Sequence, residues 1–385
     1  MDPRDNPYAP GTGNQPPLIA GRDDEREAYS LMLDRLKRGN VAQGMLVTGL
    51  RGVGKTALLK TFERASFEHG WVAVGPELDD RTPFAEVIAR SARRALLDLE
   101  LKQRAAERAR LALERLAMFS LRDPDDLELS YTPRVRTSRD ALGEDFGDLL
   151  TAIGEAASTR GRGVVFLLDE LQYAPKDEFS AFAEGLQRAS QRSLPTTCVA
   201  AGLPTLPKLT GRAKSHFDRL FERSQIGLLK RAEAYAALAD PATVLNMRWD
   251  LEALEYVFAK TSGNPSFLQE YGKHAWNAAS GDRITEDDAR SGGALAQASI
   301  DEEFFRAGFE DRATPAEQQL LHAMASCDGP PYAIADVTRA LGKKAQRLLS
   351  MRRESLIRKG LIYAPRRGYL DYTAPGFAAY LARLN

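Results

Sequence analysis

Short apolar runs alternate along the chain with longer segments whose apolar residues recur every three or four positions. The runs at residues 45–47, 71–74, 163–168, 196–201 and 225–229 have the length and character of strands in a buried sheet. Between them the helical period holds up to about residue 38, then over about 56–64, 83–118, 144–159 and 177–193. Such alternation predicts a parallel sheet with helices on both faces and a ligand site at the carboxyl ends of the strands. After residue 230 the strand signals stop. Helical patterns at about 232–238, 250–261, 266–280 and from 286 onward predict an all-α segment.

The last part of the chain has its own pattern. Thr314-Pro-Ala-Glu317 is a capping box that opens a helix to about residue 326. Residues 334–341 and 343–359 predict two further helices. Strands at 361–364 and 369–372 then flank the turn Pro365-Arg366-Arg367-Gly368. Three helices and a hairpin predict a winged helix-turn-helix over 312–385. At the other end, residues 1–17 carry Asn-Pro, Pro-Gly and Pro-Pro pairs and read as an extended arm. Residues 119–131 read as a β-hairpin excursion and 132–140 as a basic connection. The expected divisions are therefore 1–17, 18–229, 230–305 and 312–385.

Two motifs give the sheet its chemistry. Gly49-x-x-x-x-Gly54-Lys55-Thr56 follows the first strand and opens a helix, which is the P-loop order. Gly49, Gly52 and Gly54 free the backbone to turn N–H groups toward one anion, and the helix N-terminus adds its dipole. Gly52, Val53, Gly54, Lys55, Thr56 and Ala57 are thus the expected nucleotide-binding stretch, with Lys55 on the β- and γ-phosphates and Thr56 on Mg²⁺. The run 163–168 ends in Asp169-Glu170. Asp169 is placed to share the Mg²⁺ shell with Thr56, and Glu170 to polarise an attacking water as general base. The fold class is therefore α/β: a P-loop NTPase sheet, an all-α lid and a C-terminal winged helix-turn-helix.

The segment Leu18-Ile-Ala-Gly21-Arg22-x-x-Glu25 upstream of the P-loop resembles a motif shared by STAND ATPases and the origin-recognition type of AAA+ ATPase. The lead-in Asn6-Pro7-Tyr8-x-Pro10-Gly11 resembles bacterial ATP-binding proteins of that type. This resemblance implies that Gly21 and Arg22 lie beside adenine and ribose. Gly263-Asn264-Pro265 is similar to the Gly-x-Pro element of such lids, which implies that Pro265 approaches the adenine. Arg219 and Arg223, just before the last strand, stand where related ATPases place an arginine finger. In two places the pattern departs from AAA+ proteins. The strand ending Ala200-Ala201-Gly202 has no polar sensor residue, and the lid helix beginning Pro265-Ser-Phe-Leu-Gln has no sensor arginine.

Composition changes this picture mainly at the C-terminus. The whole chain of 385 residues is neutral, with 53 basic and 53 acidic side chains, and no run reaches the roughly 18 apolar residues of a membrane span. Cys198, Cys327 and the four histidines share no ligand spacing. A cytoplasmic protein is expected. Residues 312–385, however, hold 12 Lys and Arg against 5 Asp and Glu, a surplus of seven. Lys343, Lys344 and Arg347 on the third helix, with Arg366 and Arg367 at the wing tip, are the expected contacts to double-stranded DNA. An intramolecular clamp, a protein partner or self-association fits the same module against an acidic body. A nucleotide-binding scaffold with negligible turnover fits the missing sensors.

Overall fold

The computed structural model describes residues 2–11, 13–79, 81–99, 139–206, 219–346 and 349–384. The hairpin expected at 119–131 and Arg347 lie outside these residues, as do the side chains of Lys343 and Lys344. Five parallel strands form the central sheet: β1 (Gly44–Thr48), β2 (Val72–Val74), β3 (Val164–Leu168), β4 (Thr196–Gly202) and β5 (Phe221–Gln225), in the order β2-β3-β4-β1-β5. Alternate residues feed two separate cores. Leu46, Phe166, Leu168, Cys198 and Ala200 face α3 (Phe84–Asp98), α4 (Arg139–Thr159) and α5 (Lys176–Gln191), packing with Phe84, Phe146 and Phe182. Met45, Val47, Val165, Leu167 and Val199 face α1 (Asp23–Lys37) and α2 (Lys55–Glu68), packing with Tyr29, Leu33 and Phe62. Because both faces are covered, every residue of β1, β3 and β4 is buried, and these strands read as unbroken apolar runs.

The last strand departs from expectation. It is Phe221–Gln225, not 225–229, and it pairs in register with β1 from Gly44↔Phe221 to Thr48↔Gln225. As an edge strand it buries only Phe221, so its sequence carries no apolar run. Ile226 and Leu229 gave the misleading signal; both are buried, but beyond the ladder.

The helical segment follows as α6 (Arg231–Val244), α7 (Leu251–Thr261), α8 (Pro265–Ala278) and α9 (Glu286–Ser299). Helix α6 runs past its expected end, with Pro241 buried inside it. Two short parallel strands, β6 (Arg248–Trp249) and β7 (Arg283–Ile284), tie α7 and α9 together at their starts. Helix α9 passes directly into a π-helical segment, Ile300–Glu310. Its Phe305 stacks on Tyr380 with centroids 5.2 Å apart, and Phe309 lies 5.2 Å from Phe377. One hydrophobic cluster therefore runs from Tyr8 and Leu238 through Phe305 and Phe309 to Leu356 and Leu381.

The C-terminal elements are α10 (Pro315–Ala325), β8 (Tyr332–Ala333), α11 (Ile334–Gln346), α12 (Leu349–Arg358), β9 (Ile362–Tyr363), β10 (Tyr369–Tyr372) and α13 (Phe377–Leu384). Thr314 and Glu317 form the expected capping box. Gly342, at φ 72° and ψ 166°, breaks the helical path at the expected boundary. The sheet has three strands, in the order β8-β10-β9, where a two-stranded hairpin was expected. Helix α13 was not foreseen.

The N-terminal arm is extended, as its prolines imply, but it is packed. Tyr8 is buried against Trp249 and Trp276; its hydroxyl donates to Leu238 O at 2.5 Å and accepts from Trp249 Nε1 at 2.8 Å. Tyr8→Phe leaves the buried Trp249 indole N–H without its acceptor, which costs about 1–3 kcal/mol. Denaturant unfolding of the variant is expected to show the lower midpoint.

Candidate nucleotide site

The loop between β1 and α2 is shaped for an anion. Gly52 and Gly54 sit at φ 78° and 93°, a left-handed region that strains residues with a side chain. Gly49 is needed for space rather than torsion, because a Cβ there would meet Ile226 O at 2.7 Å. Lys55 is buried and folds back along the loop, donating from Nζ to Gly49 O at 3.1 Å and Leu50 O at 2.9 Å. Burial pushes its pKa below the ordinary value, while Glu170 and Asp169 oppose that shift.

The acids at the end of β3 stand across from it. Thr56 Oγ1 donates to Asp169 Oδ2 at 2.6 Å. Burial raises the Asp169 carboxyl above its ordinary range against the pull of this bond. The two oxygens that the sequence assigned to Mg²⁺ are thus side by side, and hydroxyl and carboxylate are the hard donors that such an ion prefers. Among the described residues, no cluster of three or more His, Cys, Asp or Glu is arranged to hold a metal by itself. Glu170 adopts a left-handed conformation, φ 55° and ψ 40°, which is uncommon for a residue with a side chain and tends to mark functional sites. Its N–H donates to Asp169 Oδ1 at 2.8 Å. Glu77, missed in the sequence, also belongs here: burial, then Asp169 and Glu170, raises its pKa.

Gln172 was missed as well. Its Nε2 donates to the Glu170 carboxylate, and its Oε1 accepts from Leu203 N at 3.2 Å. It therefore joins the expected general base to the end of β4, where the sequence offers only Ala200, Ala201 and Gly202. A Cβ at Gly202 would stand 2.7 Å from Gln172 Oε1, so the glycine makes room for the glutamine.

The helical lid reaches the loop through the start of α8. Ser266 donates to Gly52 O from its N (3.3 Å) and its Oγ (3.1 Å). Asn264 caps the helix through Oδ1, and Gly263 O accepts from Leu229 N at 2.8 Å. The sequence pointed to Pro265 but not to Asn264 or Ser266. On the other side, buried Arg22 donates to Val53 O at 3.1 Å and Gly227 O at 2.5 Å.

Two adjoining cavities result. The larger, about 230 Å³, is lined by Gly52, Gly54, Lys55, Thr56, Ala57 and Glu170, with Phe304 and Phe309 opposite. The smaller, about 40 Å³, is an apolar slot lined by Leu18, Ile19, Arg22, Val53, Ala57 and Pro265 among others. Gly21 lines neither; at φ 63° it closes against the Glu233 carboxyl. Arg219 and Arg223 also line neither cavity. Arg223 lies within β5, not before it, and both arginines are exposed near that sheet edge. Arg366 and Arg367 are exposed between β9 and β10, with Arg366 stacked 3.9 Å over the Tyr369 ring.

A parallel sheet with a phosphate loop after its first strand and paired acids after its third defines a P-loop ATPase. Residues 19–199 match the family model described as AAA ATPase domain, and residues 302–381 match one described as a domain of unknown function (DUF8462). Residues 19–199 thus carry an AAA+ P-loop ATPase domain. Among solved structures it is similar to the Walker-type ATPase PABY2304 of Pyrococcus abyssi, at 15% identity and TM-score 0.57 over 94% of this chain and 96% of that one. It is similar also to the ORC2 protein of Aeropyrum pernix (ADPNP–ADP complexes), at 15% identity and TM-score 0.56 over 97% and 96%. At these identities the likeness is one of fold. No curated protein sequence matches the chain.

Lys55→Ala removes a buried cation held along the loop and is expected to weaken ATP binding roughly 10- to 100-fold by calorimetric titration. Gln172→Ala is expected to lower kcat about 10-fold or more while leaving ATP affinity within about twofold, because it releases Glu170 and no phosphate contact. Phosphate-release kinetics beside equilibrium binding would separate the two effects.

Proposed function

We propose that the chain is an ATP-driven switch whose nucleotide state sets the docking of its C-terminal part on the ATPase. The observation that carries this reading is at Arg51, inside the phosphate loop. Its backbone N–H donates to Thr373 O at 2.8 Å, its Nε donates to Gly360 O at 3.2 Å, and its guanidinium lies 5.6 Å from the Phe309 ring centre. The turn after Asp169 and Glu170 joins the same contact, since Arg312 donates to Tyr173 Oη at 3.0 Å. A loop rearranged around a triphosphate cannot leave these bonds unaffected.

In this reading ATP lies with its base in the apolar slot and its phosphates over Gly52 to Thr56. Lys55 leaves the Gly49 and Leu50 carbonyls for the β- and γ-phosphates. Thr56 and Asp169 would hold Mg²⁺, which supplies charge neutralisation on the transferring phosphoryl group. Glu170, oriented by Gln172, takes the proton of the attacking water. The divisions at 18–229, 230–305 and 312–385 then correspond to engine, lid and moving module, with 1–17 as a strap. Ser266 stands near where a lid arginine was sought, and Arg219 and Arg223 lie at an outer edge. Turnover is therefore slow in one molecule, and self-association through that edge would supply the missing arginine to a neighbour.

A second reading, in which the C-terminal part is a winged helix that binds double-stranded DNA, is favoured by exposed Arg366 and Arg367 at the hairpin tip and by the local basic surplus. Hydrogen exchange of residues 360–374 with ATP, with ADP and without nucleotide tests the first. Exchange is expected to rise with ATP in the wild type and to be raised without it in Arg51→Ala; equal exchange in every state would refute the switch. Duplex binding over a salt series in the same three states tests the second. A steep fall with salt, and loss on reversing Arg366 and Arg367, would support it, and no binding in any state would leave the clamp alone.

A further inference from the structure

The larger cavity has an end that neither the phosphate loop nor the acids of β3 account for. It is closed by the N-terminal arm and by α8. Asn6 Nδ2 donates to Lys273 O at 2.9 Å, Tyr8 packs against Gly272, and Ala9 N donates to Gln269 Oε1 at 3.2 Å, so the arm first follows α8. It then crosses to α2, where the Lys60 ammonium donates to Gly13 O and Gln15 Nε2 to Thr61 Oγ1 at 3.2 Å. Between these two moorings Gly11, Gly13 and Asn14 line the cavity.

Glu270 lines the same cavity from α8. It is only 8% exposed, yet its Oε2 is buried with no hydrogen-bond partner. The His274 imidazole stands 3.7 Å away at Nε2, and burial holds it below its ordinary pKa. Lys273 attracts the carboxyl, exposed Glu303 repels it, and burial dominates both in raising its pKa. An acceptor buried without a donor is costly unless a ligand supplies one.

The position of Glu270 limits what that ligand group can be. Phosphates are excluded, since a carboxylate repels them and the loop already provides their N–H donors. The base belongs in the apolar slot, which Glu270 does not line; the slot and the larger cavity meet at Gly54 and Ala57. What lies between a base and its phosphates, and carries neutral donors, is the sugar. We propose that Glu270 and the arm form the sugar subsite of the nucleotide pocket, with the Glu270 carboxylate accepting the ribose hydroxyls, so that the protein selects ribonucleotides over deoxyribonucleotides. This rests on the nucleotide-binding reading above and adds to it a selectivity and a role for the arm.

The test is calorimetric titration of the full chain with ATP, 2′-deoxy-ATP, 3′-deoxy-ATP and purine riboside triphosphate. Wild type is expected to prefer ATP over at least one deoxy analogue about tenfold or more, as for a hydrogen bond to a charged group. Glu270→Ala is expected to bring that ratio close to one without changing the ratio for purine riboside triphosphate. Equal binding of ATP and both deoxy analogues by wild type, which needs no variant, overturns the proposal. So does a ratio that survives in Glu270→Ala, or a loss confined to the purine analogue, which would put the carboxylate at the base. Absence of ATP binding in wild type, or full affinity in Lys55→Ala, would instead overturn the nucleotide reading beneath it.

Discussion

Three consecutive residues of the phosphate loop are tied to three other parts of the chain, and the rest of the arrangement depends on those ties. Thr373 O takes the Arg51 N–H, Ser266 donates to Gly52 O, and Arg22 donates to Val53 O. A loop that turns its N–H groups toward an anion leaves carbonyls pointing outward, and buried carbonyls need donors. Here the donors come from the helical lid and the N-terminal approach, and the C-terminal part supplies an acceptor in return. The anion site is thus the point where the parts of the molecule meet.

The π-helical segment makes that meeting mechanical. Phe304 reaches back toward Gly52, where a Cβ would stand 3.2 Å from the ring, while Phe305 and Phe309 enter the aromatic cluster with Phe377 and Tyr380. Helical segment and C-terminal elements share one hydrophobic core, so they are joined by packed side chains rather than by a free linker. The same segment roofs the cavity in which the γ-phosphate would lie.

The hydrolytic side shows how one polar contact can be supplied from an unexpected direction. At the end of β4 the missing polar residue is legible in the sequence as Ala200-Ala201-Gly202. Its replacement is not, because Gln172 lies on the turn after β3 and reaches β4 only when the two strands pair. Gly202 and Gln172 make sense together and neither does alone.

Some of this protein was determined by local sequence. The buried strands β1, β3 and β4 were readable because burial on both faces demands an unbroken apolar run. The P-loop and Asp169-Glu170 were readable because their chemistry requires fixed residue types at fixed spacing. The capping box at Thr314 and the break at Gly342 are equally local. Tertiary structure decided the rest. The edge strand β5 buries only Phe221, so its position came from pairing with β1, not from its composition. Gly21 stands against the Glu233 carboxyl, a contact that only the packing of the N-terminal segment on α6 creates. The arm reads only as extended in the sequence because its contacts are all with distant elements, through Tyr8 on Leu238 and Trp249, Ala9 on α8 and Gln15 on α2. The docking of Thr373 on Arg51 joins residues more than three hundred positions apart, and no pattern along the chain encodes such a contact. Periodicity and motif spacing report what a residue needs from its neighbours in sequence; which distant surface meets it depends on how whole elements pack.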